Sequence, residues 1–88
     1  MHQVLLSREA EKFLARLQKR NQRLFARLTE SLETISENPY SATSLTGNLG
    51  GYHSSRAGDY RIIFQIEKEQ LLVYVEKIEH RSEVYKSK

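Results

Sequence analysis

The chain has 88 residues, 39% apolar and 28% charged, which is enough for one domain with a single small core and too apolar for a disordered segment. It contains no cysteine, so disulfides and thiolate metal sites are excluded, as a reducing cytoplasm would allow. The net charge of +3 is unevenly spread: residues 1–28 carry seven Lys/Arg against Glu9 and Glu11 (+5), and the other sixty carry seven basic and nine acidic side chains (−2). A polyanion should therefore meet the N-terminal part first, although the same charges could be no more than the solvated face of two helices.

In chain order, Gln3 to Leu6 is short and apolar enough for a first strand, and nothing in the N-terminal stretch is long enough for a secretion signal or a membrane span. Ser7 is a good N-cap, with Glu9 and Glu11 complementing the helix dipole in the first turn. Ala10, Phe13, Leu14 and Leu17 recur at i, i+3, i+4 and i+7, the stripe of an amphipathic helix. Asn21 can cap a second helix whose inward stripe is Leu24, Phe25, Leu28, Leu32 and Ile35, and Asn38-Pro39 ends it because the proline ring disfavours helical geometry before it. With almost no loop between them, the helices should form an antiparallel hairpin; a single bent helix is the alternative.

Residues 40–51 hold most of the Ser, Thr, Gly and Asn and read as a loop. Three strands should follow, at about 52–57, 60–67 and 70–78, with Gly58-Asp59 and Lys68-Glu69 as their turns. The expected fold is a single α+β domain over residues 1–88, β-α-α-β-β-β, with an N-terminal helical hairpin packed on a mainly antiparallel sheet and a short C-terminal tail.

A Gly58-Asp59 turn pairs Ala57 with Tyr60 and sets Arg56 opposite Arg61. Like charges directly across an antiparallel pair repel, and a phosphate between two guanidiniums would relieve them. Neutralisation by Asp59, Glu67 or Glu76 is the equal alternative. The tail adds His80, Arg81 and Tyr85. Alone, these would be a solvated imidazole able to act as acid or base, an arginine paired with Glu79 or Glu83, and a packing ring. His2, His53 and His80 are scattered and Asp59 is the sole aspartate, so no metal site is visible, nor is a Gly-rich phosphate loop. Neither metal nor cofactor is expected.

The segments Leu49-Gly50-Gly51-Tyr52, Arg56-Ala57-Gly58-Asp59-Tyr60-Arg61-Ile62-Ile63-Phe64 and His80-Arg81-Ser82-Glu83-Val84-Tyr85, in this order and spacing, resemble the RelE/ParE superfamily of small bacterial toxins. The resemblance implies the RelE-like branch: the toxin of a type II toxin–antitoxin system, cleaving mRNA in the ribosomal decoding site without a metal. It places Arg61 and Arg81 on the phosphate and its developing charge, and Arg56 on the neighbouring backbone. Tyr85 would stack on a base or donate to a phosphate oxygen, and His80 would transfer a proton.

Lys12, Arg16, Lys19, Arg20, Arg23 and Arg27 would meet ribosomal RNA through phosphate contacts independent of sequence. Tyr52, Tyr60 and Tyr85 could stack bases, although Tyr60 shares a face with Ile62 and Phe64 and reads as core. The implied partners are ribosome, mRNA and a cognate, RelB-like antitoxin with an acidic amphipathic segment; the implied place is the cytoplasm.

Many RelE-like members have basic-x-basic before the turn, where this chain has Ser54-Ser55-Arg56; strand alternation puts His53 on the face opposite Arg56, where it cannot compensate. The alternatives are a ParE-like toxin that binds gyrase without nuclease chemistry, or an inert RNA-binding relative.

Overall fold

Ser7 is where the first strand becomes the first helix. In the computed structural model, which describes residues 2–44, 51–80 and 82, its Oγ accepts from the Ala10 amide at 3.1 Å and so caps the helix. The elements are β1 (Gln3–Leu6), α1 (Arg8–Arg20), α2 (Gln22–Glu37), a 3₁₀ turn (Pro39–Ser41), β2 (Thr43–Ser44), β3 (Tyr52–Ala57), β4 (Tyr60–Glu67) and β5 (Leu72–His80). Asn21 alone separates the helices, and its Oδ1 caps α2 by accepting from Leu24 at 3.1 Å. The chain therefore folds back as a hairpin rather than continuing as one bent helix. Pro39 stands at the first position of the 3₁₀ turn, directly after the Asn38 that closes α2.

The sheet order is β1-β5-β4-β3-β2; β1 runs parallel to β5 and the other pairs are antiparallel. Both helices cover one face. Phe64, Leu28, Ile62, Val73 and Val75 are fully buried between sheet and helices. The expected element order holds, with two amendments. The stretch read as loop contains the 3₁₀ turn and β2, a two-residue edge strand, and its residues 45–50 lie outside the described part. The last strand begins at Leu72 rather than 70, because the β4–β5 connection is longer than Lys68-Glu69. Leu71 closes that connection at φ 51°, a left-handed conformation uncommon for a branched residue, and its carbonyl accepts from the Gln3 amide at 2.8 Å.

One irregularity organises the sheet. Ile63 pairs with Lys77 and Phe64 pairs with Val75, so Glu76 is an extra residue in β5. Val73 and Val75 point toward the helices, and regular alternation would send Lys77 and Glu79 after them. The bulge resets the pleat, so that Ile78 enters the core while Lys77 and Glu79 face outward. Ser7 secures it: its Oγ donates to the Glu76 carbonyl at 2.6 Å, and its amide donates to the Val75 carbonyl at 2.9 Å. One hydroxyl thus caps α1 and satisfies the bulge.

Replacing Ser7 with Ala removes both side-chain bonds and leaves a part-buried carbonyl short of a donor. Urea unfolding of Ser7→Ala should show a loss of about 1–3 kcal/mol; a loss below about 0.5 kcal/mol, the level of an ordinary surface change, would mean that the bulge needs no seal.

Candidate functional site

The Gly58-Asp59 turn forms as expected, with Gly58 at φ 65°. It pairs Ala57 with Tyr60 and Arg56 with Arg61. Both arginines lie on the sheet face that carries no helix, since Ile62 and Phe64, on the alternate positions of β4, are core residues. Arg56 is exposed and Arg61 half-buried.

The register sets Glu79 of β5 directly opposite Arg61, which would be the simplest neutralising partner. Glu79 instead makes its ion pair with Lys77, at 3.7 Å. Among the described residues no ion pair within 4.0 Å involves Arg56 or Arg61, and neither Glu67 nor Glu76 supplies one. The two like charges stand side by side in a cleft of about 380 Å³, lined also by Ser41, Thr43, Ser54 and Ser55. Cations fixed beside hydroxyl-bearing residues, in a cleft of this size, suit an anionic oxygen cluster such as a phosphate.

Further cations gather at this end of the molecule. Phe13 of α1 packs on Tyr60 with ring centroids 5.7 Å apart, so α1 runs toward the β3–β4 turn and the tip of the helical hairpin lies there. Arg27, expected to belong to one helical stripe with Lys12, Arg16, Lys19, Arg20 and Arg23, leans over the turn: its guanidinium comes within 3.4 Å of where a Cβ on Gly58 would be. The positive φ is what favours glycine there, and a Cβ would only come into ordinary contact with that guanidinium. The remaining five stripe residues are exposed on the helices, away from the sheet.

His80 is not brought to the arginines. It pairs with Tyr60 and meets that ring edge-on at 5.1 Å, on the helix-bearing face, whereas Arg61 is on the other. The imidazole and the two sheet guanidiniums therefore stand on opposite faces, and the Glu76 bulge is the cause. The Ser82 amide donates to His80 Nδ1 at 3.2 Å, with the Ser82 hydroxyl 2.8 Å from the same atom. Nδ1 is an acceptor, so the neutral ring carries its proton on Nε2. Arg81 and Tyr85 lie outside the described residues.

His53 stacks on Phe64 at 5.6 Å, on the helix side, and cannot replace the cation absent at Ser54. Tyr60 packs against the core as expected. Tyr52 is on the open face, in one cross-strand row with Gln65 and Tyr74. Tyr74 is 36% exposed; sequence reasoning passed over it, although its position between Val73 and Val75 was signal enough. Among the described residues no three acidic or histidine side chains gather to hold a metal ion, and no helix is long and apolar enough to cross a membrane.

A family model described as the ParE toxin of the type II toxin–antitoxin system parDE matches residues 4–85. No curated protein sequence matches at a significant level. Among solved structures, the RelBE2 toxin–antitoxin complex of Mycobacterium tuberculosis contains a chain 27% identical, with 91% of this chain and 98% of that one covered at a TM-score of 0.79. A chain of the Staphylococcus aureus YoeB–YefM complex superposes at 0.76 with 19% identity, covering 91% and 97%. One from the Escherichia coli RelBE complex superposes at 0.73 with 20% identity, covering 91% and 96%. The last two bear on the fold alone.

The repulsion within the pair has a measurable sign. Arg56→Gln should raise stability by about 0.2–1 kcal/mol in low salt, with the gain shrinking as salt screens the charges. A loss of stability would mean that the two guanidiniums are held by a partner.

Proposed function

The chain belongs to the ParE-toxin family of type II toxin–antitoxin systems, within the RelE/ParE superfamily, and from that premise we propose that it is a RelE-like toxin whose open sheet face binds and cuts mRNA on the ribosome. The observation that carries this reading is the cross-strand pair Arg56–Arg61, facing solvent in a cleft with no ion-pair partner among the described residues. A fold maintained only for stability has little reason to keep two guanidiniums opposed, whereas a scissile phosphate supplies the missing charge.

In this reading the 2′-hydroxyl oxygen attacks the adjacent phosphorus and the bond to the 5′-oxygen breaks, leaving a 2′,3′-cyclic phosphate and a 5′-hydroxyl. Arg61 and Arg56 hold the non-bridging oxygens and stabilise the added charge of the crowded intermediate, an effect of about 2–4 kcal/mol per well-placed donor. Arg81 adds a further guanidinium, and Tyr85 stacks on a base or donates to a phosphate oxygen, as the resemblance implies. The proton lost from the 2′-hydroxyl leaves through Tyr85 or water, and the 5′-oxygen takes one back from the same pool.

His80, with Nδ1 occupied by Ser82 and the proton on Nε2, is suited to donating a hydrogen bond rather than to acting as base. The helix cations Lys12, Arg16, Lys19, Arg20 and Arg23, with Arg27 at the hairpin turn, supply contacts to ribosomal RNA that fix orientation without reading sequence. The partner in the resting cell is an acidic, RelB-like antitoxin segment laid over the same cations, in the cytoplasm.

A second reading has its own support. The matching family model is that of ParE toxins, and Ser54 stands where many RelE-like members carry a cation. A ParE-like toxin would bind gyrase and perform no chemistry.

The two readings separate cleanly. Primer extension on an mRNA being translated in vitro should give discrete ends with the wild-type chain. Arg61→Ala should lower the cutting rate about 10²–10³-fold with the circular dichroism spectrum unchanged, and His80→Ala should lower it less than about 10-fold, the scale of one auxiliary hydrogen bond. Inhibition of gyrase supercoiling without any new mRNA ends would replace the nuclease reading with the ParE-like one.

A further inference from the structure

The open face continues beyond the arginines. Two rows along, Gln65 of β4 has Tyr52 on one side and Tyr74 on the other, and past it a second cleft of about 320 Å³ opens, lined by Gly51, Gln65, Glu67, Gln70, Leu72 and Tyr74. Gln65 and Glu67 share a face with Arg61, because they stand at alternate positions of the same strand. At about 3.3 Å per residue they lie about 13 and 20 Å from it. A single-stranded RNA with its phosphate on Arg56 and Arg61 would pass over this cleft if laid along β4.

We propose that this second cleft is a nucleobase pocket, and that Glu67 makes it select a base bearing an exocyclic amino group. The proposal rests on the reading of the open face as an RNA-binding surface. Its chemistry differs in kind from that of the first cleft. Among the described residues no lysine or arginine lines it, and a carboxylate does, so phosphate is repelled and N–H donors are accepted. Glu67 is exposed and makes no ion pair among the described residues, leaving its oxygens open to a ligand. Tyr74 offers an exposed ring on which a base can stack. Gly51, at φ 91°, has no described residue within 4 Å of where a Cβ would be.

The discrimination follows from base edges. Cytosine presents its N4 amino group, and adenine its N6, as donors to a carboxylate; uracil presents the O4 carbonyl at the corresponding position, which a carboxylate rejects. The Gln65 amide can donate or accept and therefore supports either base. Selection falls on Glu67, and positions on Gln65 and Tyr74.

The test uses the full chain without antitoxin and two fluorescein-labelled hexamers, one of cytidine and one of uridine. Both carry 2′-methoxy groups and so cannot be cut by attack of a 2′-hydroxyl. The pyrimidine rings are the same size, so stacking is matched. Fluorescence anisotropy should give about 5- to 10-fold tighter binding of the cytidine hexamer. Glu67→Gln, which keeps the shape and can offer a donor to O4, should bring the two within about 2-fold.

Equal binding by the wild-type chain, a preference that survives Glu67→Gln, or no binding of either hexamer would each overturn the pocket. Failure of the nuclease reading registers elsewhere. It would be absence of Arg61-dependent cleavage of translated mRNA, with the cytidine preference intact.

Discussion

The fifth strand must bury Val73, Val75 and Ile78, spacings of two and then three, which no regular pleat can satisfy. The extra residue at Glu76 resolves the conflict, and the Ser7 hydroxyl makes the resolution affordable by bonding the carbonyl that the ladder gives up. The rest of the architecture refers back to this point. β1 ends beside it, with Leu6 paired to Val75. Helix α1 begins on it, through the cap that the same hydroxyl provides. The pleat beyond it decides which side chains of the last strand reach solvent on the open face and which meet the helices.

The open face is consequently graded. At one end two guanidiniums oppose each other across β3 and β4, and Glu79, the neighbour that could quench Arg61, is engaged by Lys77. Toward the other end the lining turns to amide, carboxylate and phenol. The helix face shows the complementary economy: its rings pack in a chain from Phe13 through Tyr60 to His80, and its cations are exposed, with Arg27 reaching over the Gly58 turn. Charge that costs stability is confined to the surface where a ligand could repay it.

Much of this was legible in the residues. The caps at Ser7 and Asn21, the stop at Pro39 and the Gly58-Asp59 turn are local devices with a direct physical reading, and each forms where its chemistry predicts. The Arg56–Arg61 opposition followed from that turn by counting. The bulge was harder because it is a tertiary compromise: its trace, an apolar spacing of three inside a strand otherwise alternating by two, is easily taken for a strand end. Missing it misplaces His80, whose companionship with Arg61 depends on the parity of the whole strand. The edge strand at Thr43 and Ser44 carried no local signal at all, since two polar residues acquire strand geometry only from β3 beside them. Arg27 was recognised as a cation of the helix surface, but its place over Gly58 depends on how the hairpin lies on the sheet.

Position 76 is therefore tolerant of side-chain identity. Nearly any residue could occupy it, for the group that matters there is the peptide oxygen. Removing that one residue would leave everything downstream on its present side, because the buried valines and the isoleucine would then follow one another at regular intervals of two: the isoleucine would stay inward, lysine and glutamate outward, and the imidazole opposite the guanidiniums. A single-codon deletion would thus straighten the last strand without exchanging its faces, and would take from the Ser7 hydroxyl the oxygen it rests on.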